Sequence, residues 1–148
     1  MSDEHSMSVM VALLPTTTEW SKLSLPHLTV VYAGEKPELK PTDFNYLAKR
    51  LSDVASEHYY VELAVNGLDV FGPEGDQVEV LKLRPNPELM AIRQRVVSWD
   101  KSTFPFTPHC TIGPIGSFVL GTEIPQTIVF DRIALVWGEE AITFNLKP

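Results

Sequence analysis

Hydrophobic and polar positions alternate in short runs along most of the chain, and this pattern of period two predicts β-strands. The predicted strands cover residues 6–14, 27–33, 59–71, 77–83, 108–112, 127–137 and 141–146. Residues 72–76 and 138–140 are rich in turn formers, so the strands on either side of each are expected to form antiparallel hairpins. Gly67 interrupts the third predicted strand and is expected to mark a bulge or bend.

Two segments instead repeat their hydrophobic residues every three to four positions, which predicts amphipathic helices. The first is expected over residues 43–57, with Thr42 or Asp43 as its N-cap. The second is expected to start at Pro87, because asparagine caps helices well and proline suits the first helical position. Asn86 is therefore its predicted N-cap, and its inner face holds Leu89, Ile92, Val96 and Trp99.

Few helices and several hairpins predict an α+β layer fold, and 148 residues suit a single domain spanning 1–148. The formal net charge is −7, from 12 basic and 19 acidic residues, and no basic cluster is visible. This balance disfavours a protein that follows long nucleic acid, which usually has a basic face. The acidic N-terminus, the absence of long apolar runs and one cysteine, Cys110, predict a cytoplasmic protein without a membrane span.

A short motif occurs twice, 82 residues apart. Residues 26–30 read Pro-His-Leu-Thr-Val, and residues 108–112 read Pro-His-Cys-Thr-Ile. Each copy lies in a predicted strand, and each half of the chain carries one predicted helix. The repeat therefore suggests two lobes that arose by duplication and are related by pseudo-symmetry.

In a strand, side chains alternate between the two faces. His27 and Thr29 therefore share one face, as do His109 and Thr111, and the intervening residues point into a core. Two histidines can supply a base and an acid near neutral pH, because the unperturbed pKa of imidazole is about 6.5. Such a pair gives a bell-shaped pH profile. Threonine hydroxyls can donate to the non-bridging oxygens of a phosphate. The four residues thus fit phosphoryl transfer without a metal, and the paired motif outweighs the reading of two ordinary half-buried histidines.

The two Pro-His-x-Thr-aliphatic motifs resemble the signature of the two-histidine (2H) phosphoesterase superfamily, the LigT-like enzymes. The order of strands and helices is also similar, so the resemblance covers roughly residues 6–146. It implies a bilobal, pseudo-symmetric α+β fold, with antiparallel sheets around a central groove and two main helices on the outside.

The resemblance also implies an activity and substrates. It implies a metal-independent phosphodiesterase for 2′,3′-cyclic phosphates, 2′-5′ linkages or RNA ends, with no cofactor. Some viral members cleave cyclic oligonucleotide immune signals, and this compact chain could act likewise, in the host cytoplasm if viral. By analogy, His109 is expected to act as the base and His27 as the acid in opening a cyclic phosphate, with the roles exchanged in ligation. The order of roles stays open.

Residues that could bind the substrate lie near the motifs. Trp20 precedes the first motif, and Phe104 and Phe106 precede the second, so these rings are candidates for stacking on a base. Lys22 and Lys101 are the candidate contacts for phosphate. No rich set of arginines lies near either motif, which argues against recognition of a polyphosphate or a long RNA.

Other residues have plainer interpretations. Tyr32 is expected on the strand face opposite His27, in a structural role. His5 and His58 are expected to be ordinary, and Cys110 a small core residue. A metal site needs three or four converging ligands, which the two motif histidines alone do not provide. The alternative functions are a module that sequesters a nucleotide without turnover and a structural protein with chance motifs.

Overall fold

The computed structural model describes residues 7–118 and 121–148, and its architecture is the predicted α+β fold. The elements in chain order are β1 (Ser8–Pro15), β2 (Leu28–Glu35), α1 (Pro41–Glu57), β3 (Val61–Phe71), β4 (Val78–Leu83), α2 (Pro87–Val96), β5 (His109–Pro114), β6 (Thr127–Trp137) and β7 (Glu140–Asn145). Each predicted strand and helix is present; β6 has its predicted bounds, and no end of the others is shifted by more than three residues. Ser6, the predicted start of the first strand, lies outside the described residues. None of the described helices is long and apolar enough to cross a membrane.

The strands pair in a circuit that returns to its starting point. β1 pairs with β2, β2 with β5, β5 with β4, β4 with β3, β3 with β6, and β6 again with β1, all antiparallel. β7 pairs with β6 beyond the part of β6 that β3 occupies. The hairpins β3–β4 and β6–β7 confirm the two predicted turns, and the β3–β4 register shifts between Val65 and Leu68, next to Gly67.

Both helices pack against the sheet and cover the main core. Their buried residues are Leu47, Leu51, Val54 and Ala55 in α1 and Leu89, Ile92 and Val96 in α2. β1 alternates between this core and a smaller cluster on the other face, formed by Met10, Ala12, Leu14, Ala134 and Val136. Because both faces of β1 are covered, the strand is hydrophobic throughout rather than alternating.

The helix starts are set by different caps in the two cases. Asn86 Oδ1 accepts a hydrogen bond from the backbone N–H of Leu89 at 2.9 Å, which confirms the predicted cap of α2. In α1 the predicted caps are wrong, because the N-cap is Lys40 and the helix starts at Pro41. Asp43 instead reaches back from inside the first turn, where its Oδ2 accepts from the Lys40 N–H at 2.8 Å.

A bulge in β2 changes which face its later residues occupy. Ala12 pairs with Thr29, whereas Met10 pairs with Tyr32. A step of two residues along β1 therefore corresponds to a step of three residues along β2. The extra residue places Tyr32 on the same face as Thr29. The prediction that Tyr32 lies on the opposite face is therefore wrong, because simple alternation does not continue through a bulge.

Candidate active site

The two motifs meet where β2 contacts β5. Leu28 pairs with Cys110, and both side chains are fully buried. In an antiparallel register, the neighbours of this pair place His27 opposite Thr111 and Thr29 opposite His109. These four polar side chains therefore share the face that points away from the main core. The two motif centres are related by a local two-fold axis between Leu28 and Cys110.

Burial alternates identically along the two motifs. In residues 26–30 and again in residues 108–112, the first, third and fifth positions are buried, and the histidine and threonine between them are partly exposed. The buried positions fix each strand in the core. The histidines and threonines can therefore reach solvent from a rigid support.

Both motif histidines are oriented by the same kind of hydrogen bond, from the ring to the backbone carbonyl two residues earlier. The Nδ1 of His27 lies 2.7 Å from the carbonyl oxygen of Leu25, and the Nδ1 of His109 lies 2.7 Å from that of Thr107. A carbonyl oxygen can only accept, so Nδ1 carries a hydrogen in each ring and donates it. In each ring Nε2 is consequently the atom that can exchange a proton with a ligand.

The loop before each motif docks on the strand that carries the other motif. The Lys22 N–H donates to the carbonyl of Ile112 in β5, and the Lys101 N–H donates to that of Tyr32 in β2, both at 2.7 Å. Ser21 Oγ adds a bond to the carbonyl of Thr111 at 2.9 Å. The two halves of the site therefore support each other reciprocally.

A cleft of about 980 Å³ opens at this site, and Thr29 and His109 are among its lining residues. Four aromatic side chains from three segments also line it: Tyr32, Phe71, Phe104 and Phe106. We call this feature the aromatic cleft. The Phe71 ring meets the His109 imidazole edge to face, with centroids 4.7 Å apart and planes at 70°. Phe71, at the end of β3, was not predicted as a site residue.

One arginine reaches the aromatic cleft from α2. Arg93 lines the cleft, and its guanidinium carbon lies 4.4 Å from the centroid of the Phe106 ring. The Nη2 of Arg93 donates a hydrogen bond to Asp100 Oδ2 at 3.0 Å, and its Nε donates one to the Val30 carbonyl. Asp100 Oδ1 accepts the Tyr32 N–H at 3.1 Å. No local pattern marks Arg93 as a site residue, because packing of α2 on β2 brings it there.

The structure treats the three candidates for stacking on a base differently. Trp20 is only 8% exposed and belongs to the main core, so the prediction that it stacks on a base is wrong. Its loop folds inward because the indole is a large apolar group. Phe104 and Phe106 do line the cleft, and Phe104 is 81% exposed.

The candidate lysines do not lie with the rings. A Cβ on Gly34 would lie 3.3 Å from Lys101 Nζ, so this ammonium lies near the end of β2 remote from Leu28. That placement argues against Lys101 as a phosphate contact. Lys22 is exposed. Its Cβ lies 3.3 Å from the position that a Cβ on Gly113 would occupy, so Lys22 lies beside β5, the strand that carries the second motif.

The remaining histidine and cysteine expectations can also be placed. His58 ends α1, and its Nδ1 lies 3.2 Å from Glu88 Oε1, away from the cleft. His5 lies outside the described residues. Cys110 is a core residue, and burial raises the pKa of its thiol far above the ordinary value. Within residues 7–118 and 121–148, no three His, Cys, Asp or Glu side chains group in a way that could hold a metal.

Residues 18–117, which include both motifs, match the 2′-5′ RNA ligase superfamily. The chain belongs to this superfamily. A relative from Geobacillus sp. (strain WCH70), named for a predicted phosphoesterase activity, is 33% identical over 91 residues. That match covers 60% of this chain and 50% of the relative, so it spans about half of that protein's length.

Solved structures show that this superfamily member has the LigT-like fold. Escherichia coli LigT complexed with 3′-AMP is 16% identical with a TM-score of 0.57, and the match covers 96% of this chain and 99% of LigT. Usb1 of Kluyveromyces marxianus is 11% identical with a TM-score of 0.62, covering 95% and 98% of the two chains. LigT has also been solved with phosphate, ATP and NADP+. The predicted 2H resemblance and fold class are thereby confirmed.

Proposed function

We propose that this chain is a metal-independent phosphodiesterase that hydrolyses nucleotide phosphodiesters, with His27 and His109 as its acid–base pair. Membership of the superfamily and the similarity to a phosphoesterase support phosphoesterase activity in general. The candidate substrates are 2′,3′-cyclic phosphates, 2′-5′ linkages and cyclic oligonucleotide signals. Cleavage of such signals in a host cytoplasm is the form this function would take in a viral protein.

The observation that carries the proposal is the Leu28–Cys110 pair. Beside it, His27 and His109 occupy diagonal positions of one antiparallel contact, and such diagonal neighbours lie about 7–8 Å apart. Two imidazoles that extend from such positions leave room for one phosphate between their Nε2 atoms. The identical carbonyl bonds at Nδ1 support this orientation, because each assigns Nδ1 to the backbone and proton exchange to Nε2.

Hydrolysis then needs one proton transfer at each histidine. The base Nε2 takes a proton from water as the water oxygen bonds to phosphorus. The acid Nε2 gives a proton to the leaving oxygen as its bond to phosphorus breaks, so one water is consumed and the diester becomes a monoester. Following the family analogy, we assign His109 as the base and His27 as the acid for opening a cyclic phosphate. The carbonyls of Thr107 and Leu25 would hold each ring in the orientation that directs Nε2 toward the reacting atoms.

The two threonines are proposed to bind the non-bridging oxygens. Thr29 and Thr111 lie diagonally across the same contact, so their hydroxyls can approach the phosphate from the sides that the histidines leave open. In the structure Thr29 Oγ1 donates to Met10 Sδ at 3.4 Å. A thioether is a weak acceptor, so turning the hydroxyl toward a phosphate oxygen costs little. The fixed donors would stabilise charge that develops in the transition state.

A small nucleotide or an RNA end fits this protein better than a long duplex. The net charge of −7 disfavours extended contact with a polyanion. LigT, which has the same fold, has been solved with 3′-AMP, ATP and NADP+, and these small nucleotides support the same class here.

The test is turnover of a panel of 2′,3′-cyclic nucleotides, cyclic dinucleotides and short 2′-5′ and 3′-5′ RNAs, with and without EDTA. We expect hydrolysis of at least one member at a rate that EDTA leaves unchanged. Loss of activity in EDTA would contradict the metal-independent mechanism. Binding without product across the whole panel would instead favour a protein that sequesters nucleotides.

A further inference from the structure

Lys82 lies beside the second motif histidine in the sheet. In the β4–β5 ladder it pairs with His109, so the two side chains lie on the same face. The Leu83 N–H donates to the carbonyl of Pro108 at 3.0 Å, which makes Leu83 and Pro108 a hydrogen-bonded pair of the ladder. Lys82 and His109 therefore form the adjoining non-hydrogen-bonded pair, the kind in which side chains approach more closely.

Burial along β4 agrees with this placement. Leu81 and Leu83, on either side of Lys82, are buried in the core, whereas Lys82 is partly exposed. Leu81 also pairs with Cys110, so the buried positions of β4 and β5 match. The side chain of Lys82 consequently points to the same face of the sheet as the polar side chains of the motifs.

The ammonium group of Lys82 has a partner that it can exchange. Its Nζ lies 3.6 Å from Asp69 Oδ2, and the two side chains are 34% and 45% exposed. Asp69 pairs with Val80 in the β3–β4 ladder, so it shares the face of Lys82. Water screens a pair this exposed, and such pairs contribute little to stability. Because the lysine stem is flexible, Nζ can leave the carboxylate for another anion at little cost.

The two other cations placed near the motifs so far are less available for this role. The guanidinium of Arg93 bonds to Asp100 and to the Val30 carbonyl, and it covers the ring of Phe106. The ammonium of Lys101 lies near the remote end of β2. Lys82 differs from both, because its backbone is directly opposite a motif histidine and its ion pair is exposed.

A phosphate at the candidate site needs such a cation. The threonine hydroxyls are neutral donors, and in a mixed acid–base pair only one imidazole is charged. A hydrogen bond from an ammonium to an anionic oxygen is about twice as strong as one between neutral groups. The net charge of −7 means that the protein as a whole does not attract anions, so the attraction has to be local.

Resting on the proposed function, we propose that Lys82 binds the reacting phosphate beside His109, and that Asp69 holds the ammonium while the site is empty. Lys82 then approaches a non-bridging oxygen from the β4 side of His109, and Thr29 approaches from the β2 side. Its charge stabilises the negative charge that the phosphate oxygens carry in the transition state.

The first experiment measures the Kd of inorganic phosphate by calorimetry. Lys82→Gln should weaken binding by about 10-fold, the scale of one hydrogen bond to a charged group. Lys82→Arg should keep most of the affinity, because it keeps the charge. Lys49→Gln is the matched control, since Lys49 also forms an exposed pair with an aspartate, Asp53, at 3.9 Å. It removes the same charge elsewhere and should leave the Kd unchanged. An unchanged Kd in Lys82→Gln would overturn the proposal.

The second experiment tests the exchange of partners. Asp69→Asn releases the ammonium of Lys82 and should tighten phosphate binding by about two- to fivefold, because the exposed ion pair that it removes is weak. In a Lys82→Gln background the same change should have no effect, since no ammonium remains to be released. An equal gain in both backgrounds would mean that Asp69 acts through its charge alone, and it would overturn the exchange.

Turnover separates this proposal from the proposed function. If no panel compound is hydrolysed, the phosphodiesterase fails, and the phosphate Kd values still decide the role of Lys82. If Lys82→Gln hydrolyses the panel at the native kcat/KM and binds phosphate as the native protein does, the proposal fails and the phosphodiesterase stands. Should Lys82→Gln not fold, Asp69→Asn alone decides, because an unchanged phosphate Kd in that variant would overturn the proposal.

Discussion

Leu28 lies opposite Cys110 in the contact between β2 and β5, and neither side chain is accessible to solvent. Because side chains alternate along a strand, this buried pair directs the residues before and after it toward the groove. The chemistry of the site therefore depends on residues that take no part in it. A shift of either strand by one residue would turn the histidine and threonine of that strand into the core.

The first prediction concerns the two histidines. Replacement of either His27 or His109 by alanine should lower kcat by about two to four orders of magnitude, the usual contribution of a general acid or base. Steady-state rates on the best panel substrate measure this effect. His58→Gln is the control, because His58 bonds to Glu88 outside the cleft. Near-normal activity in either alanine variant would contradict the assignment.

The second prediction concerns the threonines. Thr29→Val and Thr111→Val keep the shape of the side chain and remove the hydroxyl, so each should raise the barrier by about 2–4 kcal/mol if that hydroxyl stabilises the transition state. Thr→Ser at the same positions should recover much of the activity. The readout is kcat/KM combined with thermal unfolding. Loss of folding in the valine variants, rather than loss of rate, would point to a structural role.

The third prediction concerns the pH dependence of stability. A hydrogen bond from the Tyr32 hydroxyl to Glu35 Oε2, at 2.6 Å, and partial desolvation raise the pKa of Tyr32 from 10.0 to about 12. The folded state thus holds this proton more tightly than the unfolded state. The associated stability is fully present below pH 10 and is lost as the pH rises toward about 12.

Tyr32→Phe is the corresponding test. It should cost about 1 kcal/mol of unfolding free energy at neutral pH, through loss of the hydrogen bond. The difference from the native protein should shrink between pH 10 and 12. Urea unfolding across this range measures it, and an absorbance titration should lose one late-ionising tyrosine. A constant difference at all pH values would refute the linkage.

The fourth prediction concerns the Arg93–Asp100 pair. Asp100→Ala should destabilise the protein by about 3 kcal/mol, because it leaves a largely buried guanidinium without its partner. It also removes the acceptor of the Tyr32 and Ser102 N–H groups. The matched control is Asp53→Ala, since Asp53 pairs with Lys49 at an exposed site and should cost less than about 0.5 kcal/mol. Equal losses in urea unfolding would contradict this interpretation.

Most elements, and the two motifs themselves, follow from patterns that are local in the sequence. Strand alternation and helical periodicity depend on neighbouring residues, and so does the Asn86 cap. At each of its two positions, the Pro-His-x-Thr repeat indicates which side chains can carry out the chemistry. These features could be predicted because each is complete within a few consecutive residues.

The features that could not be predicted arise from pairing or packing between distant segments. The bulge that turns Tyr32 toward the cleft exists only relative to β1. Arg93 and Phe71 come to the cleft because α2 and the β3–β4 hairpin pack beside the motif strands. Trp20 appears in sequence to belong to a surface loop, but its indole enters the core because that loop docks on β5.

The contact between the motif strands is also narrow. Among the described residues, one pair joins β2 to β5, whereas β1 pairs with both of its neighbours along most of its length. Few ladder hydrogen bonds join the two strands there, so their alignment rests largely on the backbone bonds from Lys22 to Ile112 and from Lys101 to Tyr32. The spacing of the two imidazoles is therefore set in part by loops that contain neither motif, and shortening either loop should misalign the histidines without removing them.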